Sequence, residues 1–321
     1  MVDQVKRSVT IENLFNKTIA IDAFNSIYQF LSIIKGKDGK PLKDYRGRIT
    51  SHLSGLLYRN LIFLEKSIKP IYCFDGINKS EKIRWSKPTK NKVKINEYIL
   101  SESKLLLDAL GIPWIQAPAE GEAQCCYLVQ QGDAWAVASQ DYDCFAFGGV
   151  RLIRNFAVHR KRKKGNTQTE YDIEFISLEK LLNHCGITRE QLVDISILVG
   201  NDFFEGFKGF GEKKALKIIK EYGLIDDITN VKLTKRDGYY WIDSDDFYET
   251  IDENREIFLN PVVDKDYRIN FKKPNYTKLH ELLVREHNFS DRRIDSVISR
   301  LKKLNENSKK QINLAKFLKS E

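Results

Sequence analysis

Short apolar runs that stop at an acidic residue recur through the first half of the chain, and they restrict its fold more than any other feature. Thr18-Ile-Ala-Ile ends at Asp22, Ile71-Tyr-Cys-Phe ends at Asp75, and Ala134-Trp-Ala-Val-Ala runs on to Asp141. Runs of this length and composition read as buried strands of a parallel sheet. Candidate strands at 18–22, 70–75, 112–116, 134–138 and 150–154 alternate with helical patterns near 50–67, 93–110 and 120–131. That alternation predicts an α/β fold with a mostly parallel central sheet flanked by helices. Ligands of such sheets bind outside the carboxyl ends of the strands. Asp22, Asp75, Glu120, Glu122, Asp141, Asp143 and Asp202 are therefore expected to converge on one crevice. Carboxylates packed together repel one another unless hard cations of the Mg²⁺ or Mn²⁺ kind hold them.

The local pattern suggests how these acids are presented. Asp141 and Asp143, two residues apart, would face the same way on an extended segment. Pro118 signals a helix start, so Glu120 is expected in the non-helical entry and Glu122 in the first turn, where the helix dipole favours an anion. An acidic pair at a helix start can also be simple capping. After about residue 177 helical signals dominate: Thr188-Arg-Glu-Gln191 is a capping box, and 212–222, 245–258, 276–286 and 290–305 also read as helices.

Composition adds the partner. The chain carries 53 Lys+Arg against 44 Asp+Glu, a formal charge of +9. A basic protein with a concentrated acidic crevice suits metal-assisted chemistry on a polyanion, although a generically basic soluble protein has the same balance. The cysteines at 73, 125, 126, 144 and 185 have no paired or zinc-like spacing and read as reduced, buried side chains. No apolar leader or membrane-length run is present, so the expectation is an intracellular soluble protein.

Basic clusters lie in particular places. Lys79, Lys82, Arg84, Lys87, Lys90, Lys92 and Lys94 follow Asp75 directly and are expected to contact phosphate. His159-Arg-Lys-Arg-Lys-Lys164 is either another such contact or a solvated face. Gly206-Phe-Lys-Gly-Phe-Gly-Glu-Lys-Lys-Ala215 opens a helix with a Gly-rich turn that offers backbone N–H groups to phosphate. It fits a helix-hairpin-helix gripping a duplex backbone through Lys208, Gly209, Gly211, Lys213 and Lys214, or merely a tight turn.

Taken in order, Ile19-Ala-Ile-Asp-Ala, Ser26-Ile-Tyr-Gln-Phe-Leu31, Gly47-Arg-Ile-Thr-Ser-His-Leu-Ser-Gly55, Tyr72-Cys-Phe-Asp-Gly76, Ala117-Pro-Ala-Glu-Gly-Glu-Ala-Gln124, Ser139-Gln-Asp-Tyr-Asp143, Leu198-Val-Gly-Asn-Asp202 and Gly209-Phe-Gly-Glu-Lys-Lys-Ala215 resemble the flap endonucleases, the archaeal branch above all. The resemblance implies a 5′-nuclease fold that cuts branched DNA at a 5′ flap with two or more Mg²⁺ ions, Mn²⁺ substituting. All seven acids match the family's metal positions. Tyr28 matches an aromatic that stacks on DNA, Lys82 a lysine that neutralises the scissile phosphate, and Arg59 a basic residue at the entrance; the arch's second basic residue has no match, and Arg84 or Lys90 is the candidate to replace it. Arg46 and Arg48, beside Gly47, are assigned to DNA with it. The hairpin, 200–222, implies a hold on duplex DNA, often with K⁺. Gln311, Leu314, Phe317 and Leu318 resemble the family's sliding-clamp motif, with Leu at the last position where a second aromatic is usual.

The resemblance implies a monomer divided into an N-terminal nuclease region (1–75), a shortened arch (76–94), an internal nuclease region (95–305) and a clamp-binding tail (306–321). Val2 stands where the family has glycine, and the arch segment is short for threading a flap's free end. A junction or bubble nuclease, or a 5′ exonuclease, of the same superfamily is the nearest rival. A non-catalytic DNA or clamp scaffold is the rival from another class.

Overall fold

The computed structural model describes residues 2–76, 95–156, 161–164, 167–170, 173–228 and 245–317. Its strands are β1 (Arg7–Val9), β2 (Thr18–Asp22), β3 (Lys69–Phe74), β4 (Trp114–Gln116), β5 (Ala136–Ala138), β6 (Arg151–Arg154), β7 (Lys161–Lys164), β8 (Thr167–Glu170) and β9 (Ile173–Ser177). The helices are α1 (Ala23–Ile33), α2 (Ser51–Glu65), α3 (Glu97–Leu110), α4 (Gly121–Gln130), α5 (Asp143–Ala146), α6 (Leu178–Cys185), α7 (Arg189–Val199), α8 (Glu212–Tyr222), α9 (Asp245–Leu259), α10 (Tyr276–His280) and α11 (Asp291–Phe317). A π-helical segment, Glu281–Glu286, follows α10.

Seven strands form one sheet in the order β1-β9-β6-β5-β2-β3-β4. β4, β3, β2, β5 and β6 are mutually parallel, while β9 pairs antiparallel with both β6 and β1. The sheet is therefore mixed, with the expected parallel centre and an antiparallel edge that the apolar runs did not announce. β7 and β8 form a separate antiparallel hairpin, so Lys161–Lys164 of the basic run has strand backbone.

Strand periodicity sorts the core into two layers. Ile19, Ile21, Tyr72, Phe74, Ala136 and Ala138 face one layer with α1, α2 and α3. Ala20, Ile71, Cys73 and Val137 face the other, with α4, α5 and α7. Each central strand is apolar on both faces because helices cover both, as parallel sheets require.

The expected helices are found with boundaries moved by a few residues, and three findings depart from expectation. α1 starts at Ala23, immediately after β2, because Asp22 is at once the last strand residue and the N-cap: its Oδ1 accepts from Asn25 N at 3.0 Å. The segment carrying Asp141 and Asp143 is not extended. The chain bends, and Asp143 is the first residue of α5. Finally, α11 runs on to Phe317, well past 305, since no Gly or Pro interrupts 291–317.

Candidate active site

The chain builds β2, β3 and β4 in one direction and then returns to place β5 on the other side of β2. Between β2 and β5 the winding reverses, and a crevice opens at the carboxyl ends of the strands. Asp22 closes β2 at that point, aligned with Cys73 of β3. Ile21 aligns with Ala138 of β5, so Ser139 and the acids after it continue beside Asp22. Asp75 follows β3 by one residue. Asp22 shares the parity of Ala20, and Asp75 that of Ile71 and Cys73, so both belong to the face that α4 covers.

Helix α4 runs back from this edge and brings its own acids. Glu120 is the N-cap and Glu122 lies in the first turn, as expected. The helix is pinned to β3 by Gly121 N, which donates to Asp75 Oδ1 at 2.9 Å. A Cβ at Gly121 would stand 2.8 Å from Cys73 O and 2.9 Å from Asp75 Oδ1, both rigidly held. Gly121→Ala is expected to lower stability by about 1–3 kcal/mol. It would also reduce activity by pushing Asp75 away from Glu122; urea unfolding and a nuclease assay check both effects.

The remaining acids are set by small local devices. Ser139 Oγ accepts from Asp141 N at 3.1 Å, and Asp141 Oδ1 accepts from Asp143 N at 3.2 Å. Cys144 donates its thiol to Glu122 Oε1 at 2.7 Å, joining α5 to α4. Asp202 is exposed on the turn after α7, where Asn201 Oδ1 accepts from Phe203 N and Phe204 N. Cys144 and Gly121 escaped notice in the sequence because their contacts cross between elements, and Ser139 because its bond to Asp141 N depends on a local bend. Their adjacency to the acids was the available signal.

Electrostatics ties part of this set together. Burial, then Asp141, then Asp22 hold the Glu122 carboxyl well above the ordinary carboxylate value of 4.5. Among the described residues, the triads of ligand atoms within 4.8 Å of one another lie elsewhere. Glu122 thus feels the charge of Asp141 and Asp22 without the three forming a single tight cluster. Their all-oxygen, mostly anionic character suits hard divalent cations, which would relieve that repulsion.

A pH signature follows. A carboxyl whose folded pKa is raised adds stability below its ordinary value and loses it as pH rises through the raised value. In chelator, the melting temperature should fall over that range above 4.5. Divalent metal should oppose the fall, and Glu122→Gln should flatten it.

The basic residues divide. Tyr28 on α1 is partly exposed. Arg46 is exposed, its guanidinium 5.1 Å from the Tyr45 ring. Arg48 instead binds Asp44 Oδ2 at 2.6 Å and the Glu286 carbonyl. Arg59, expected at the entrance, is buried: its Nε donates to Phe156 O at 2.7 Å and its guanidinium lies 4.8 Å from the Phe63 ring. Burial lowers its pKa to about 10. Arg59 is therefore a core anchor that ties α2 to the Phe156 backbone.

The hairpin is anchored by buried Phe203, Phe204, Phe207 and Phe210 and exposes Lys208, Gly209, Gly211, Lys213 and Lys214. Gly209 has φ +79 with nothing within 4 Å of a Cβ position. Backbone conformation, not crowding, calls for glycine there, and the space leaves room for a phosphate to approach. Lys82 and Arg84 lie outside the described residues. So do the side chains of Gln311, Leu314 and Phe317 and all of Leu318, although α11 carries the backbone through Phe317.

Comparison with known proteins gives this geometry a family. Residues 1–95 match the XPG N-terminal domain and residues 111–202 the XPG I-region. Flap endonuclease 1 of Staphylothermus marinus is 43% identical over 328 residues, covering 92% of this chain and 91% of that protein. The chain belongs to the flap endonuclease 1 family. Membership makes it a nuclease, in a family whose members depend on metal ions. The flap endonuclease-1 structure from Methanococcus jannaschii superposes with a TM-score of 0.77 at 31% identity, covering 95% of this chain and 98% of that one. The catalytic core of Rad2 in complex with DNA substrate shares the fold, with a TM-score of 0.73 at 24% identity over 94% of this chain and 97% of that one. Among the described residues, no helix is long and apolar enough to cross a membrane.

Proposed function

We propose that this flap endonuclease family member hydrolyses phosphodiester bonds of branched DNA at the base of a 5′ flap, in replication (Okazaki fragment processing) and repair. The observation that carries this reading is the convergence of acids from β2, β3, α4 and the segment after β5 on one carboxyl edge, with the Glu122 carboxyl raised by burial, Asp141 and Asp22. In this reading Asp22, Asp75, Glu120 and Glu122 hold one side of a two-metal centre. Asp141, Asp143 and Asp202 hold the other, partly through water. When bound, Mg²⁺ or Mn²⁺ supplies a nucleophilic water near neutral pH and offsets charge on the scissile phosphate.

The chain's own residues do the rest. Tyr28 stacks on an unpaired base. Lys82 and Arg84, close in sequence after Asp75, neutralise phosphate charge. Arg46 touches the backbone from the exposed loop before α2. The turn at 206–211 and Lys213 and Lys214 grip the duplex without reading bases, and the hairpin would take a K⁺ ion. Gln311, Leu314, Phe317 and Leu318 dock on a sliding clamp, and the protein acts as a monomer. The regions 1–75, 76–94, 95–305 and 306–321 carry out these tasks in turn.

The deciding experiment uses a labelled double-flap DNA with its 5′ end free or blocked by a bulky adduct, in Mg²⁺ or EDTA. Mg²⁺-dependent cutting of the free flap alone supports threading. Equal cutting of both substrates indicates an open cleft and a broader junction nuclease, and no cutting with intact DNA binding indicates a scaffold. Binding should also weaken steeply with salt, as phosphate contacts release counterions. If Lys213→Ala left the slope of log affinity against log salt unchanged, Lys213 would be removed from the interface.

A further inference from the structure

A second constellation of ligating side chains lies outside the carboxylate crevice, where α3, the loop before α2 and the end of the π-helical segment meet. Glu102 on α3, Glu286 and His287 bring ligand atoms within 4.8 Å of one another. His287 Nε2 is 2.7 Å from Glu102 Oε2, and His287 Nδ1 is 3.4 Å from Asp44 Oδ2. We propose that Glu102, Glu286 and His287 bind a divalent cation of the Zn²⁺ class, with Asp44 orienting the imidazole from behind.

The donor set fits that class. Imidazole nitrogen with two carboxylates suits Zn²⁺, whereas Mg²⁺ prefers oxygen and water alone. Ligands about 2.1 Å from a tetrahedral ion stand about 3.4 Å apart, so His287 and Glu102 would open only slightly to admit one. A carboxylate on the other ring nitrogen is the usual support of a metal ligand, and Asp44 Oδ2 stands 3.4 Å from His287 Nδ1, a buried nitrogen that has no hydrogen-bond partner among the described residues. Asp44 is itself fixed, accepting from Arg46 N at 2.9 Å, Arg48 N at 2.9 Å and Arg48 Nε at 2.6 Å.

Two further observations point to a ligand. His52 is fully buried beside this group and neither ring nitrogen has a hydrogen-bond partner. In addition, Glu281–Glu286 is π-helical, a rare geometry that is frequent at functional sites. The wide turn delivers Glu286 and His287 to α3 together.

The bound ion would brace α3 against the C-terminal helices. The test loads the whole protein with ZnCl₂ in a large excess of Mg²⁺, which occupies the crevice acids, then dialyses it and measures retained zinc and the melting temperature. The expected result is about one equivalent of zinc per chain and a higher melting temperature. Both should be lost in Glu286→Gln, whose side chain is exposed so that folding is spared, and in Glu102→Gln. Asp141→Asn should retain both. No zinc retained by the natural protein would overturn the proposal. So would retention unchanged in Glu286→Gln and Glu102→Gln, or zinc lost from Asp141→Asn instead.

Discussion

Asp22→Asn should lower the single-turnover rate of flap cleavage by about a thousandfold or more while leaving the fold intact. An anionic ligand to a catalytic cation contributes several kcal/mol to transition-state stabilisation, and each 1.4 kcal/mol is about tenfold in rate. The fold is spared because Asp22 has a second task, capping α1 through Asn25 N, which asparagine performs equally well. Affinity for flap DNA measured in Ca²⁺ or EDTA should hold or improve, since one negative charge near phosphate is gone. A variant that cut at the natural rate would remove Asp22 from the metal centre.

Arg255→Met should be among the most destabilising single changes away from the crevice, at about 3–5 kcal/mol. Arg255 on α9 makes a two-pronged pair with Asp194 on α7, with both N···O distances at 2.8 Å, and the Asp194 side chain is fully buried. Asp194 Oδ2 also accepts from Ile225 N at 2.9 Å. Removing the guanidinium leaves a buried carboxylate with a single backbone donor. The companion variant Asp194→Leu with Arg255→Met should recover much of the loss, because an apolar pair has no stranded charge. Urea midpoints for the single and double variants decide it. A loss below about 1 kcal/mol would mean that the pair behaves as a surface bridge. Activity should fall with stability, as α7 ends at Val199, shortly before Asp202.

The central strands and the acids at their ends were legible because burial on both faces leaves an uninterrupted apolar run, and the run's end marks the crevice. Elements that depend on partners were not. α1 was hidden because Asp22 changes the period from strand to helix in one residue, without Gly or Pro. β1 is a three-residue edge strand that exists by pairing with β9 across more than 160 residues, Arg7 aligning with Phe175. Arg59 looked like a surface cation because nothing near it in sequence reveals that Phe156 receives its protons. The grouping of Glu102 with His287, 185 residues apart, is invisible for the same reason. Local chemistry can be read from a chain, whereas long-range enclosure has to be seen.

The position of β2 between β3 and β5 has a bearing on the protein's birth. A ribosome delivers residues 18–22 early, yet one flank of that strand has no neighbour until residues 136–138 emerge. The antiparallel border through β9 waits for residue 177, and Asp202 arrives later still. Such late closure is slow to fold and leaves a sticky margin for chaperones to guard. It also means that the three acids proposed for the second side of the metal centre, Asp141, Asp143 and Asp202, join the other four only after most of the sheet has been made.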